Sequence, residues 1–259
     1  MGGFQTLDKV VDEFDRVTIL VYGPPRCGKT TMAVKVAESG DIVFVMAYDR
    51  GVRAAVERRD KIGKKMRVAF PEGLLETRKL IVWLKKTIDG LVAKGHKASK
   101  IWTFVDTVTH AQSLFLTQSR SVQINVAGTV PKVGKEIVRD AITQADFNIL
   151  HAWMNELVNG VLAIKGNVVF FALEKYDKKI KRTLPSLYGQ NAGKVCGDVD
   201  VIARMEVAEK GDKTAKDGRI LWVAPNSEWE AGIRGAGQNA IGETCGPDLL
   251  GIRNKILDP

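Results

Sequence analysis

The sequence predicts an α/β domain with a mostly parallel central sheet flanked by helices and closed by a C-terminal antiparallel hairpin. Three observations carry that expectation. Short apolar runs of strand character alternate with longer stretches of helical periodicity, the pattern of strands joined by helical crossovers. A glycine-rich signature sits between the first such strand and the first such helix. The composition, 45% hydrophobic and 27% charged over 259 residues, is that of a globular chain long enough to bury a large core. No internal repeat or clean linker interrupts it, so residues 1–259 are expected to form a single domain.

The elements follow in order. VTILVY (17–22) reads as a buried strand, TTMAVKVAESG as a helix ending at Gly40, and DIVFVMA (41–47) as the second strand. Leu74, Ile81, Leu84, Ile88 and Leu91 step by sevens, threes and fours, which places them on one face of a helix that stops before Gly95. IWTFV (101–105) is the third strand. Residues 107–145 have weak periodicity and a Gly-Thr-Val-Pro break, and are expected to hold a helix and a loop. Leu150, Met154, Leu157, Val161 and Leu162 then recur at helical spacing until Gly166 stops them. NVVFFAL (167–173) is the fourth strand. Two further strands, near 199–208 and 218–224, flank the polar turn EKGDKTAKDGR as a hairpin. Trp83, Trp102 and Trp153 lie on apolar faces and are expected in the core.

Composition also excludes classes. No apolar run approaches the ~18 residues needed to cross a bilayer, and the acidic, amphipathic start MGGFQTLDKVVDEFD lacks a secretory pattern, so a cytoplasmic location is expected. Cys27, Cys196 and Cys245 are odd in number and widely spaced, which argues against a disulfide framework or a zinc site; His96, His110 and His151 are equally scattered. The net charge of +9 favours a polyanionic partner.

The strongest chemical signal is Gly23-Pro24-Pro25-Arg26-Cys27-Gly28-Lys29-Thr30, a complete G-x-x-x-x-G-K-T, followed by Thr31 at the start of the expected helix. Such a loop wraps backbone N–H groups around phosphates at a helix N-terminus, with Lys29 at the β- and γ-phosphates and the Thr30 hydroxyl on Mg²⁺. A metal-side carboxylate is expected at the end of an apolar strand, where IWTFVD places Asp106; the same residue also suits a helix N-cap. Thr107 rather than Glu follows Asp106, so the carboxylate that activates water must come from elsewhere. Asp49, beyond the second strand, and Glu174, at the end of the fourth, are the two candidates. Glu174-Lys-Tyr-Asp177 has Glu where a guanine-reading motif needs Asn, and no D-x-x-G follows Asp106, so ATP is favoured over GTP.

With these motifs the chain resembles the RecA-like P-loop ATPases encoded by many phages, including Sak-type single-strand annealing ATPases. The resemblance rests on ILVYGPPRCGKTTMA, TFVDTVTH, ITQADFNILHAWMNELV leading into VVFFALEK, and PSLYGQNAGKVCGDVDVIARM, and spans about residues 17–208. It implies a parallel core, ATP with Mg²⁺, self-association into a ring or filament, single-stranded DNA as partner, and the cytoplasm of an infected bacterial host. Asp106 would be the Walker B residue and Glu174 the end of the sensor strand. Arg26 and Cys27 replace the Thr-Gly common in such loops, and Asp49 is a methylene shorter than the usual Glu.

Two basic segments are candidate DNA contacts. Residues 50–67 hold eight Lys and Arg against two acidic side chains. Lys178, Lys179, Lys181 and Arg182 follow the fourth strand, where the family's loop meets DNA, and Tyr176 or Tyr188 is placed to stack on a base. Arg234 is a candidate finger reaching a neighbouring subunit's γ-phosphate. A small-molecule or nucleotide kinase, and an ATP-binding switch without turnover, share the same loop and stand as alternatives.

Overall fold

The computed structural model describes residues 15–126, 143–208, 218–234 and 241–257. Ten strands and eight α-helices occupy these residues: β1 (Thr18–Gly23), α1 (Lys29–Glu38), β2 (Ile42–Ala47), α2 (Arg53–Glu57), α3 (Arg59–Ile62), β3 (Met66–Ala69), α4 (Leu74–Ala93), β4 (Ile101–Asp106), α5 (Val108–Val126), α6 (Gln144–Leu162), β5 (Asn167–Asp177), β6 (Arg182–Pro185), α7 (Gln190–Asp198), β7 (Val201–Val207), β8 (Arg219–Trp222), β9 (Gly232–Ile233), β10 (Thr244–Cys245) and α8 (Leu249–Leu257). The main sheet runs β10-β8-β7-β1-β5-β4-β2-β3, with β6 beside β5 and β9 beside β7. From β7 to β3 every neighbour is parallel. The expected hairpin is present as antiparallel β7 and β8, with Met205 opposite Leu221.

The continuous apolar runs follow from this arrangement, because a parallel strand covered on both faces has no solvent side to alternate toward. All six residues of β1 and of β4 are buried. Alternation instead sorts side chains between two cores. One face collects Val17, Ile19, Val21, Phe104, Phe171 and Met205 against Met32, Ala33 and Val36 of α1. The other collects Leu20, Tyr22, Phe170 and Ala172 against Leu84 and Ile88 of α4, Phe115 of α5, and Leu150, Met154 and Leu157 of α6. Two polar side chains lock the strands at the end remote from β1's C-terminus. Asn167, fully buried, accepts from Val17 N at 3.1 Å and donates to Ser99 O at 2.8 Å, while Asp200 accepts from Thr18 N at 2.8 Å and its hydroxyl at 2.7 Å.

Several elements differ from the sequence expectation. The helix within 107–145 is real over Val108–Val126, but the Gly-Thr-Val-Pro break lies outside the described residues, as do the start of the chain and most of the hairpin's polar turn. Strand β3 carries only four residues, with Arg67 and partly exposed neighbours, too short and mixed to show an alternation. Trp102 is core, fully buried and stacked on Phe104 with centroids 6.1 Å apart. Trp83 is not: it is 47% exposed at the β3 edge, resting edge-on against Phe44. No helix among the described residues is long and apolar enough to cross a membrane.

Candidate functional site

The loop between β1 and α1 is shaped by two residues with left-handed backbone, Arg26 (φ 62°) and Gly28 (φ 105°). Gly28 has a second constraint: a Cβ there would collide with the Arg219 guanidinium, so both the dihedral and the space require glycine. Gly23 is equally tight, since its Cβ would overlap the Met205 carbonyl of β7. Helix α1 starts at Lys29 with no side-chain cap and no acidic residue in its first turn. Its leading N–H groups and the positive end of its dipole are therefore open to an anion.

Lys29 is 6% exposed, and its ammonium donates to Gly23 O at 2.9 Å and Pro24 O at 2.8 Å, with Cys27 Sγ at 3.5 Å. A buried cation held by neutral carbonyls of its own loop is a ready seat for phosphate, because such carbonyls compensate its lost hydration only in part. Across from it, Thr30 Oγ1 donates to Asp106 Oδ2 at 2.6 Å. Burial pushes the Asp106 carboxyl up to about 6; the Thr30 hydroxyl pulls the other way, and the nearby Asp49 carboxylate adds to the rise. Hydroxyl and carboxylate, side by side and oxygen only, are a donor set for Mg²⁺. The helix cap expected of Asp106 falls instead to Thr107, whose Oγ1 accepts from His110 N at 3.2 Å; the Asp106-Thr107 peptide is cis.

The two water-activating candidates part company. Asp49 lies beyond β2, close enough to Asp106 to raise it, with Oδ1 accepting from Gly51 N at 2.7 Å and Oδ2 lying 3.1 Å from His110 Nδ1. Glu174 stands at the same end of the sheet but on the other face. It shares the parity of Phe170 and Ala172, away from α1, and pairs with Arg204 Nε at 3.1 Å. Arg204 also binds Glu206 Oε2 at 2.8 Å, and Glu206 Oε1 accepts from the Trp222 indole at 2.6 Å. Strand β5 lies between β1 and β4.

The basic residues after that strand also divide. Lys178, Lys179 and Lys181 occupy the exposed turn between β5 and β6, beside Tyr176 at 60% and Ile180 at 54% exposure. Arg182 is committed elsewhere, donating to Asn226 O at 3.0 Å and Trp229 O at 2.7 Å and pairing with Glu230 at 3.3 Å. Within 50–67, Arg53, Arg58 and Arg59 pair with Glu57, Glu38 and Asp60. Arg234 follows β9, which lines up with the first residues of β7, so it stands at the opposite end of the sheet from its own chain's Lys29; its guanidinium donates to Gly197 O.

Two residues at this site escaped the sequence reading. Arg219, on β8, shares the α1 face and donates from Nε to Cys27 O at 2.6 Å, bracing the loop from behind. His110 joins the carboxylates through the first turn of α5. Neither has a signal in the sequence, because Arg219 is distant in sequence from the loop it touches and His110 has no partner at a recognisable spacing.

A glycine-shaped loop at a parallel strand's end, a buried lysine, and a Thr-Asp pair beside an uncapped helix start define a P-loop nucleotide-binding fold. A family model described as an AAA domain matches residues 15–235, and the chain belongs to that family of P-loop ATPases. No curated protein matches it. Among solved structures, the crystal structure of the RadB recombinase is similar with a TM-score of 0.46 at 18% identity, covering 84% of this chain and 86% of that one. A prototypical ATPase from the type III secretion system of pathogenic bacteria gives 0.45 at 14% identity, covering 73% of this chain and 52% of the other.

Proposed function

We propose that this protein binds MgATP, hydrolyses it to ADP and phosphate, and acts on single-stranded DNA. The observation that carries the reading is the buried Lys29 ammonium facing a Thr30–Asp106 pair closed at 2.6 Å. Lys29 and the first N–H groups of α1 would hold the β- and γ-phosphates, and Thr30 and Asp106 would hold Mg²⁺, which supplies charge neutralisation to the phosphates. Asp49 would orient the attacking water and take one of its protons, while the water oxygen bonds to the γ-phosphorus and the bond to the ADP oxygen breaks. Glu174, turned to the other face and paired with Arg204, suits a structural link between the sheet end and the β5–β6 turn better than contact with water.

The case for DNA rests on the Lys178, Lys179 and Lys181 turn with Tyr176 beside it, a cationic and aromatic surface of the kind that tracks a phosphate backbone and stacks bases. The resemblance to phage RecA-like ATPases of the Sak type supports a place in phage recombination or replication within the host cytoplasm, with subunits arranged as a ring or filament. A nucleotide titration with Lys29→Ala tests the core: binding should be lost, and unchanged affinity refutes it. Phosphate release measured with and without oligo-dT at two salt concentrations tests the rest. Stimulation that weakens with salt supports the DNA reading, and turnover that needs a nucleoside monophosphate or sugar instead assigns a kinase.

A further inference from the structure

Asp49 is held at both oxygens. Oδ1 accepts from Gly51 N at 2.7 Å in a tight local turn, and a Cβ added at position 51 would meet that oxygen at 2.8 Å, so glycine leaves room for the contact. Oδ2 faces His110 Nδ1 at 3.1 Å. The ring is fixed in turn by the residue that follows Asp106: Thr107, buried at 3% exposure, has its Oγ1 2.8 Å from the same Nδ1 and accepts the His110 backbone N–H. The hydrogen bond of Nδ1 is with the Thr107 hydroxyl at 2.8 Å, whose direction depends on the tautomer; an ionised carboxylate cannot donate, so the 3.1 Å approach to Asp49 is attractive only with the proton on Nδ1. The hydroxyl of Thr107, able to rotate, adapts to that choice.

We propose that His110 is a positioning residue for Asp49: its Nδ1–H, anchored by Thr107 at the end of the Asp106 strand, aims the Asp49 carboxylate at the water it activates. The inference rests on the ATPase reading above and deepens it. It also accounts for the use of Asp where the resembling family has the longer Glu. A shorter side chain reaches the same water only from a fixed posture, and His110 with Gly51 supplies the fixing contacts. His110 makes no hydrogen bond to Thr30 or Asp106, though it lies near enough to Asp106 to act on its charge, and it adds no chemical step; it holds a group that makes one.

The test uses the full chain with three variants and two readouts. His110→Ala should lower kcat by about 10- to 100-fold while KM for ATP stays within about twofold, because the contact acts on the water and not on the nucleotide. His110→Asn, whose amide nitrogen falls where Nδ1 lies, should recover most of the loss, whereas His110→Gln, whose amide falls nearer Nε2, should not. Thermal unfolding of each variant checks that it folds, and the Asn and Gln pair keeps the comparison valid if the Ala variant does not. Independently of turnover, long-range ¹H–¹⁵N correlation should find His110 protonated at Nδ1 in the wild type and lose that preference in Asp49→Asn. Wild-type turnover with kcat unchanged in His110→Ala, equal behaviour of Asn and Gln, or an Nε2-protonated ring would each overturn this inference alone. A wild type that releases no phosphate overturns the hydrolytic reading, and this inference with it.

Discussion

Replacing Asp106 with Asn should make the nucleotide-free protein more stable and abolish its response to Mg²⁺. The carboxyl is buried, and its value rises from 3.8 to about 6. A carboxyl whose folded value lies above its unfolded value penalises the folded state wherever it must be ionised. The penalty is absent below pH 3.8, grows between there and about pH 6, and is complete above that. A rise of about two units corresponds to ~3 kcal/mol at pH 8 and about half of that near pH 5. The amide keeps an oxygen to accept from the Thr30 hydroxyl and carries no charge to desolvate, so it escapes the penalty. Urea unfolding of both proteins at pH 8 and pH 5 measures the difference, which should favour the variant and shrink at the lower pH. Adding Mg²⁺ at pH 8 to protein already saturated with ATP should stabilise the wild type further and not the variant, since the metal offsets the buried charge only where the charge exists. A variant that is less stable at pH 8, or a difference that ignores pH, would refute the reasoning.

Gly28→Ala forces an L side chain into φ 105° and against Arg219, and should cost about 1–2 kcal/mol with at least a tenfold loss of nucleotide affinity, read by titration with a fluorescent analogue. Converting Lys178, Lys179 and Lys181 together to Gln should weaken oligo-dT binding by anisotropy and flatten its log–log salt slope by about 2, at ~0.7 per lost phosphate contact. Arg182→Gln should behave differently, lowering thermal stability through its lost contacts to Asn226 O, Trp229 O and Glu230. Leu157→Ala, at a fully buried position of α6, should destabilise by about 3 kcal/mol in urea unfolding.

The parts of the fold legible in the sequence are those whose signal is local. β1, β2, β4 and the start of β5 are runs of Val, Ile and Phe with Gly or polar ends, and the apolar spacing of α4 and α6 is complete within each helix. The loop from Gly23 to Thr30 is likewise contiguous, because wrapping phosphates is a property of consecutive amides. What escaped has no local signal. β3, β6, β9 and β10 are two to four residues long and exist because a neighbour offers a free edge. Arg219 reaches Cys27 across 192 positions of sequence, and His110 meets Asp49 only because β2 and β4 are adjacent in the sheet.

The same adjacency explains why spacing alone left two carboxylates in contention. Asp49 and Glu174 each follow an apolar strand by a residue or two, and on that measure they are equivalent. Pleating separates them. Along β4, Trp102 and Phe104 enter the core beneath α1, so Asp106, two residues on, emerges on that face and meets Thr30. Along β5, Val169 and Phe171 take the α1 side, so Glu174 must emerge with Phe170 and Ala172 on the other, where Arg204 arrives by the same parity on β7. The even number of β4 and the even number of β5 thus point to opposite faces, because the register pairs Asp106 with Phe171. A one-residue slip of β5 would carry Glu174 to the phosphate side, but it would also break the hydrogen bonds of the buried Asn167 to Val17 N and Ser99 O. The register anchored at Asn167 therefore decides which carboxylate stands by the phosphates and which is left to tie the sheet to the basic turn.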